Sequence, residues 1–185
     1  TEWGTYGPEP GNFIYPTDIA RHPDGRSYIS EYGMDADRVQ VFDAGKTFLF
    51  AFGKFGSGPG EFSRAMAIEV FGDLVYVCDT VNHRVQIFDL DGAFVRQVGQ
   101  TGGDGHRMKY PYDAATLPDG GILACEYGNN CVSHFDASGE FRGSYGGPGR
   151  GLGQFHGPRG VAVSAAGRVY VADTENHRIQ VFTWA

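Results

Sequence analysis

Two short polar clusters contain residue types that could perform acid–base chemistry. The first consists of Asp79, Asn82, His83 and Arg84, and the second of Asp173, Asn176, His177 and Arg178. A carboxylate, an imidazole and a guanidinium placed together can transfer protons and stabilise an oxyanion. A tight turn that recurs along a chain, however, needs Asp and Asn side chains that hydrogen-bond to the backbone in every copy. Because the cluster recurs, the sequence favours a structural turn over an active site.

Four further carboxylates could bind a calcium ion through their oxygen atoms. They are Asp18, Glu31, Asp113 and Glu126, and their spacing matches no diagnostic calcium motif. The three cysteines, Cys78, Cys125 and Cys131, are odd in number and lack zinc-site spacing. This pattern disfavours a metal site and a disulfide framework and favours thiols that pack in the core. The leading prediction is therefore a chain with neither a bound metal nor a cofactor.

The elements that position these residues follow from an internal repeat. Four segments of the type Arg-Val-Gln-Val-Phe-Asp align without gaps, and their phenylalanines are separated by 46, 47 and 47 residues. A period of this length is that of a four-stranded β-propeller blade. We expect the four phenylalanines to occupy equivalent buried positions between adjacent blades; they are Phe42, Phe88, Phe135 and Phe182.

Each repeat divides into four short strands, because runs of Val, Ile, Tyr and Phe alternate with Gly, Pro, Asp and Asn clusters. The predicted fold is an all-β propeller of four blades in a single domain, 1–185, with blades at about 11–53, 60–99, 109–146 and 153–185. The last repeat lacks a fourth strand, while Glu2 to Gly7 resembles Phe141 to Gly146. We therefore expect residues 1–7 to complete the last blade, which removes an exposed sheet edge. The alternative is a larger ring that a second chain completes.

The repeats carry a recognisable motif. Asp79–Asp89 and Asp173–Phe182 contain an Asn-His-Arg core, and Gly-x-Phe-x-x-Pro phrases occur at Gly11–Pro16 and Gly153–Pro158. These motifs resemble those of NHL-repeat proteins, and the resemblance covers nearly the whole chain. The resemblance implies a β-propeller that often serves as an interaction module, although four repeats are fewer than the family's usual ring contains.

In such a propeller, the loops that lead into the first strands gather around the mouth of the central channel. The repeats differ there, and variable side chains on a regular scaffold are where binding specificity is usually placed. The candidate ligand-binding residues are Thr17, Asp18, Arg64, Tyr112, Asp113 and Arg159. The alternative role of Asp18 and Asp113 is to cap local turns.

Charge and hydropathy narrow the partners. The net charge of −7 repels a phosphate backbone, which disfavours nucleic acid, and no apolar run approaches the roughly 20 residues that span a bilayer. We predict a soluble, non-catalytic scaffold that binds a protein, a peptide or a small polar ligand, as a monomer or a strand-exchanged homo-oligomer. One alternative is a metal-dependent propeller enzyme of the lactonase, esterase or lyase kind. The other is a fragment or engineered propeller whose robust property is assembly.

Overall fold

The chain forms β-strands joined by tight turns. The computed structural model describes residues 2–33, 36–99 and 107–183. The strands in these ranges are β1 (Tyr15–Arg21), β2 (Ser27–Tyr32), β3 (Arg38–Phe42), β4 (Phe48–Phe52), β5 (Ala65–Phe71), β6 (Leu74–Asp79), β7 (Arg84–Asp89), β8 (Phe94–Val98), β9 (Pro111–Thr116), β10 (Ile122–Glu126), β11 (Cys131–Phe135), β12 (Phe141–Gly146), β13 (Gly160–Val163), β14 (Arg168–Asp173) and β15 (Arg178–Thr183). A single-turn 3₁₀ helix, Thr174–Asn176, joins β14 to β15. In the described ranges, no helix is long and apolar enough to cross a membrane.

The strands form four antiparallel sheets, one for each predicted blade range. Three sheets have four strands, in the orders β1-β2-β3-β4, β5-β6-β7-β8 and β12-β11-β10-β9, and the last has three described strands, β13-β14-β15. The prediction of an all-β chain built from short blade-like sheets is confirmed. The last two residues of the fourth range, 184 and 185, lie outside the described residues.

An aspartate fixes the turn between the third and fourth strands of each four-stranded sheet. The Thr47 N–H donates to Asp43 Oδ1 at 2.8 Å, and Ala93 N–H donates to Asp89 Oδ1 at the same distance. In the third sheet, Asp136 Oδ1 accepts the N–H of Glu140 at 3.0 Å. The side chain thus replaces a backbone acceptor in the turn, which is why an aspartate ends each of these repeated segments.

The chain divides into two compact units, each with its own core. The first unit is Thr1–Asn82 with Gln86–Arg96, and the second is His83–Val85 with Gln97–Ala185. In the first unit, Tyr28, Val39 and Val41 pack against buried residues of the following sheet, which are Phe62, Ala65, Ile68, Val75, Val77 and Phe88. In the second unit, Leu123, Cys125 and Val132 pack in the same way against Phe155, Val161, Val169 and Val171.

The repeated phenylalanines pack against other aromatic rings in the structure. Phe42, Phe88 and Phe135 are buried, and the Phe88 ring lies 4.9 Å from Phe52 and 5.5 Å from Phe62 between centroids. Phe182 is partly buried and stacks on Tyr145 at 4.0 Å. The expected burial is confirmed for the first three, while Phe182 keeps part of its surface in water.

The N-terminal segment is placed differently from the expectation. Gly4 has a φ of +81°, and a Cβ atom there would collide with the Phe13 ring. Gly53 and Gly146 have φ values of +90° and +98°, and side chains there would collide with Phe62 and Phe155. Gly4 therefore occupies the position of Gly146, and the predicted match of Gly7 with Gly146 is wrong by three residues.

Residues 5–7 consequently belong to the connection into the first blade and not to a fourth strand. Thr5 O accepts the Phe13 N–H at 2.9 Å, and Gly7 N–H donates to Phe13 O at 3.1 Å. The same exchange joins Gly147 and Gly149 to Phe155. Only the residues that precede Gly4 stand at fourth-strand positions, and their pairing with the last sheet stays a prediction.

Candidate binding site

The repeated polar clusters clamp the connection that enters each blade. The Asp173 carboxylate accepts hydrogen bonds from the His156 N–H at 2.7 Å, Arg178 Nε at 2.7 Å and Gln180 Nε2 at 3.0 Å, as well as from Asn176. Burial alone would raise the pKa of Asp173, but these donors outweigh it, so the pKa lies below its ordinary value of 3.8. A carboxylate held ionised by four donors is a structural anchor.

The Asn-His-Arg residues extend this clamp. Asn82 Nδ2 donates to Gly56 O at 2.8 Å and to the Asp79 carboxylate. His83 Nδ1 accepts the Tyr110 N–H at 3.2 Å. Arg178 donates to the carbonyl oxygens of Arg150, Gly151 and Gln154. These contacts satisfy backbone groups of irregular connections, which supports the turn interpretation over an active site.

The residue at the His83 position makes the same contact in the first three repeats. It accepts a backbone N–H of the next repeat from a residue with left-handed φ. Asp37 Oδ1 accepts the N–H of Arg64 at 2.6 Å, and Asn130 Oδ1 accepts that of Gly157 at 2.8 Å. Aspartate, histidine and asparagine each offer an acceptor at this distance, so the side chain varies while the contact is retained.

The four candidate calcium ligands are engaged by donors of the chain itself. Glu31 accepts hydrogen bonds from Ile14 N–H at 2.7 Å, Arg38 Nε at 2.7 Å and Gln40 Nε2 at 2.7 Å. Glu126 accepts the Lys109 N–H at 2.8 Å, an Asn129 amide N–H and the Ser133 hydroxyl. Across the described ranges, His, Cys, Asp and Glu side chains form no group of three or more suited to a metal ion.

Three of the six candidate ligand-binding residues serve the backbone. Asp18 Oδ2 accepts the Ile68 N–H at 3.0 Å, and Asp113 Oδ2 accepts that of Val161 at 2.8 Å. The Thr17 hydroxyl donates to Ala65 O at 2.7 Å. Each contact joins the first strand of one sheet to that of the next within a compact unit. These contacts join different sheets and are not the local turn caps of the alternative, and a ligand-binding role for the three residues stays a prediction.

The other three candidates lie in two patches where an exposed arginine contacts tyrosine rings. In the second unit, the Arg159 guanidinium lies over the rings of Tyr112 and Tyr127, at 5.4 and 5.3 Å from their centroids. The two rings are 5.2 Å apart. The Tyr127 hydroxyl donates to Glu175 at 2.8 Å, which raises the pKa of Tyr127, and His156 Nε2 lies 3.0 Å from the same carboxylate. We call these five residues the Arg159 patch.

The first unit holds a smaller patch of the same kind. The Arg64 guanidinium lies 5.2 Å from the centroid of the Tyr32 ring, and Tyr32 lies 5.5 Å from Tyr15. Arg64, with a φ of +60°, stands at the backbone position of Gly157 and not of Arg159. The two arginines thus reach equivalent tyrosines, Tyr32 and Tyr127, from positions two residues apart.

Sequence reasoning missed the two tyrosines that organise these patches. Each follows the buried glutamate of its repeat, in Glu31-Tyr32-Gly33 and Glu126-Tyr127-Gly128. The other two repeats have Asp-Thr there. The shared Glu-Tyr-Gly departure of repeats one and three was the signal that could have found them.

The three cysteines are buried, as expected for thiols that pack in the core, and none of them is in a disulfide. Burial is the main cause that raises the pKa of Cys131 to about 12, and it raises that of Cys125 well above its ordinary value. The raised pKa favours the protonated thiol at neutral pH for Cys125 and Cys131.

Comparison with known proteins identifies the repeat. The NHL repeat family model matches residues 155–182. Protein brain tumor of Drosophila melanogaster is 31% identical over 135 residues, which is 71% of this chain and 12% of that protein. E3 ubiquitin-protein ligase NHLRC1 of Rattus norvegicus is 31% identical over 129 residues, 70% of this chain and 31% of the ligase. The chain thus spans less than a third of the length of each relative.

Solved structures share the fold. A streptogramin B lyase superposes with a TM-score of 0.70 at 13% identity, covering 99% of this chain and 58% of the lyase. An auxiliary nutrient binding protein from Bacteroides ovatus superposes with a TM-score of 0.70 at 18% identity, covering 92% of this chain and 48% of that protein. The repeated Asn-His-Arg turn, the blade-like sheets and these similarities place the chain in the NHL-repeat β-propeller family.

Proposed function

We propose that the chain is a non-catalytic binding scaffold, and that the Arg159 patch is its contact surface for a protein or peptide partner. The observation that carries the proposal is the convergence of Tyr112, Tyr127 and Arg159 on one surface. Tyrosine and arginine are the residue types most enriched where binding energy concentrates in interfaces. Both tyrosines also offer large, rigid contact area at low entropic cost.

The guanidinium of Arg159 is held for recognition. Its position over two tyrosine rings restricts the side chain before a partner arrives, so less side-chain entropy is lost on binding. Arg159 itself is exposed, while both tyrosines are partly buried. The smaller patch formed by Arg64, Tyr32 and Tyr15 gives the first unit a second surface of related chemistry. The relative NHLRC1 is named a ubiquitin ligase, an activity directed at proteins, which supports a protein partner.

The enzyme alternative has fold-level support alone. A lyase and a lactonase are among the similar structures, at 13% and 16% identity. The carboxylates that would hold a metal in such an enzyme are bonded to donors of this chain. Metal analysis of the purified protein tests this alternative, because stoichiometric calcium or zinc would favour it.

The proposal is tested by selecting peptides from a displayed library on the immobilised protein and measuring their affinity by calorimetry. We expect Arg159→Ala or Tyr127→Ala to weaken the selected peptides roughly 30-fold or more, because hot-spot truncation costs at least about 2 kcal/mol. Arg142→Ala is the matched control, since Arg142 is an exposed arginine of the same unit that pairs with Asp136. Peptides that bind both patch variants as tightly as the wild type, or a selection that enriches none, would contradict the proposal.

A further inference from the structure

One face of the last sheet carries apolar side chains in contact with water. In the β14–β15 pair, Tyr170 lies opposite Val181 and Ala172 opposite Ile179, so these four side chains share a face. Ile179 is 63% exposed and Val181 is 51% exposed. Their counterparts in the earlier repeats, Val39, Val41, Val85 and Ile87, are all 0% exposed. Neighbouring branched side chains in water are apolar surface whose burial by a partner would be favourable.

The other repeats indicate what covers such a face. In the first unit, Val39 and Val41 of β3 pack under Phe62 and Ile68 of the following repeat. In the second unit, Val132 of β11 packs with Phe155 and Val161. In both cases the cover consists of a connection phenylalanine and an apolar residue of the next first strand.

In the first repeat, the two residues that would provide such a cover are not buried. Phe13 and Ile19 stand at the positions of Phe62 and Ile68. They line a mainly apolar hollow together with Trp3, Pro16, Ile29 and the polar residues Thr17 and Asp18. Ile19 is 50% exposed, whereas Ile68 is 5% exposed and Val161 is 7% exposed. The chain therefore exposes both halves of a contact that it forms internally twice.

Polar groups at the same two places are also complementary. His177 has a φ of +56° and stands at the turn position from which Asp37, His83 and Asn130 accept a backbone N–H of the next repeat. Tyr15 stands at the position of the corresponding donors, Arg64, Tyr110 and Gly157. A covering repeat that begins with Tyr15 would thus meet an acceptor at His177.

We propose that a second copy of this chain covers the exposed face. The first repeat of one copy packs on β14 and β15 of the other, with Ile19 and Phe13 against Ile179 and Val181, and the reverse contact forms at the same time. In the proposed dimer each copy supplies one first repeat and one last sheet, so both exposed surfaces of both copies are buried. This interface is distinct from the Arg159 patch and goes beyond the proposed function.

The mass in solution tests the dimer. Sedimentation equilibrium or light scattering over a range of concentrations should give twice the chain mass of 20.1 kDa. The double variant Ile179→Lys/Val181→Lys should raise the dimer dissociation constant at least about 100-fold, because each contact would bury an ammonium group. Leu152→Lys is the control, since Leu152 is 93% exposed and lies outside both surfaces. Circular dichroism tests whether the variants fold. We expect them to fold, because the substituted residues are exposed.

Mixing two variants distinguishes this contact from any other self-association. Each contact of the dimer needs one intact hollow and one intact β15 face. Ile19→Lys changes the hollow in both copies, and the double variant changes the β15 face in both copies. Each variant alone therefore loses both contacts and should be monomeric. Mixed in equal amounts, they retain one intact contact and should form a heterodimer. A monomeric wild type, a wild-type dimer that the lysines leave unchanged, or a mixture that stays monomeric would overturn the proposal.

Discussion

At the scale of single residues, the chain anchors every blade with one buried acid, which is aspartate in two repeats and glutamate in the other two. Asp173 receives donors from Arg178 and Gln180. In the third repeat, Cys131 and Ser133 stand at these two positions, and the Ser133 hydroxyl donates to Glu126. The longer glutamate side chain reaches the shorter serine. The change of acid is not tied to the loss of arginine, because Glu31 of the first repeat still accepts hydrogen bonds from Arg38 and Gln40.

This anchor predicts a dependence of stability on pH. Because the pKa of Asp173 is lower in the folded state than its ordinary value of 3.8, its contribution is complete at neutral pH and is lost as the pH falls below that value. Asp173→Asn should lower the free energy of unfolding by roughly 1–3 kcal/mol at pH 7, since an amide N–H would face hydrogen-bond donors. Urea unfolding from pH 7 to pH 3 should give a shallower acid decline for the variant than for the wild type.

Asp73→Asn is the matched control, since Asp73 is an exposed turn residue. It should leave both the stability at pH 7 and the acid decline close to those of the wild type. If Asp173→Asn and the wild type lose stability in parallel as the pH falls, the anchoring role of this carboxylate is wrong.

The recurrence of the polar clusters indicated a structural turn, which the contacts of Asn82 and Asp173 support, whereas the six candidate binding residues stay a prediction. Asp18 and Asp113 serve backbone N–H groups of the next repeat, and such contacts across sheets have no local signature. Tyr112 and Arg159 were found because they vary between repeats. Tyr127, which completes their patch, was missed because it follows a buried acid in what the sequence presents as a regular strand end.

At the scale of strands and sheets, the hydrophobic period determines the fold. The 46- and 47-residue spacing of the phenylalanines and the apolar alternation correctly predicted the repeated strands. The N-terminal register was wrong because glycine occurs at both positions 4 and 7. Its true register depends on the Phe13 ring, which leaves room for hydrogen alone at Gly4. A close approach of this kind is a property of packing and not of the local sequence.

The repeated phenylalanines allow a prediction about this packing. Phe88→Ala should lower the free energy of unfolding by about 3–5 kcal/mol, the usual cost of emptying a buried aromatic site. Phe182→Ala should cost less, because Phe182 is only partly buried. Chemical denaturation of both variants at equal concentration measures the difference. An unchanged stability for Phe88→Ala would contradict the proposed core position.

At the scale of the whole molecule, the unpaired edge of a sheet affects whether the chain associates with other chains in solution. β15 is the last described strand of a three-stranded sheet, whereas the third strand of each other sheet pairs with a fourth. An unpaired strand leaves N–H and C=O groups that recruit other chains. The residues that precede Gly4 are the segment available to pair with it, in the same chain or in the second copy of the proposed dimer.

Trp3 shows how such a segment is held. Its ring lies 6.0 Å from Phe42 between centroids, as Phe52 lies near Phe88 and Tyr145 near Phe182. Phe52 is the last residue of the fourth strand β4, and Tyr145 is next to the last residue of the fourth strand β12. Lys46 Nζ lies 4.8 Å from the centroid of the Trp3 ring. Trp3 therefore has the packing of a residue at the end of a fourth strand.

Deletion of residues 1–3 tests this role. The deletion removes the Trp3 contact with Phe42 and any strand that pairs with β15, so we expect a lower free energy of unfolding and a greater tendency to aggregate. Hydrogen exchange measured by mass spectrometry should also show faster exchange of β15 amides in the truncated chain. Trp3→Phe is the control, because it keeps an aromatic ring over Phe42 and leaves the backbone unchanged. If β15 exchanges equally fast with and without residues 1–3, these residues do not pair with it in either copy, and the fourth-strand role of the N-terminal segment is wrong.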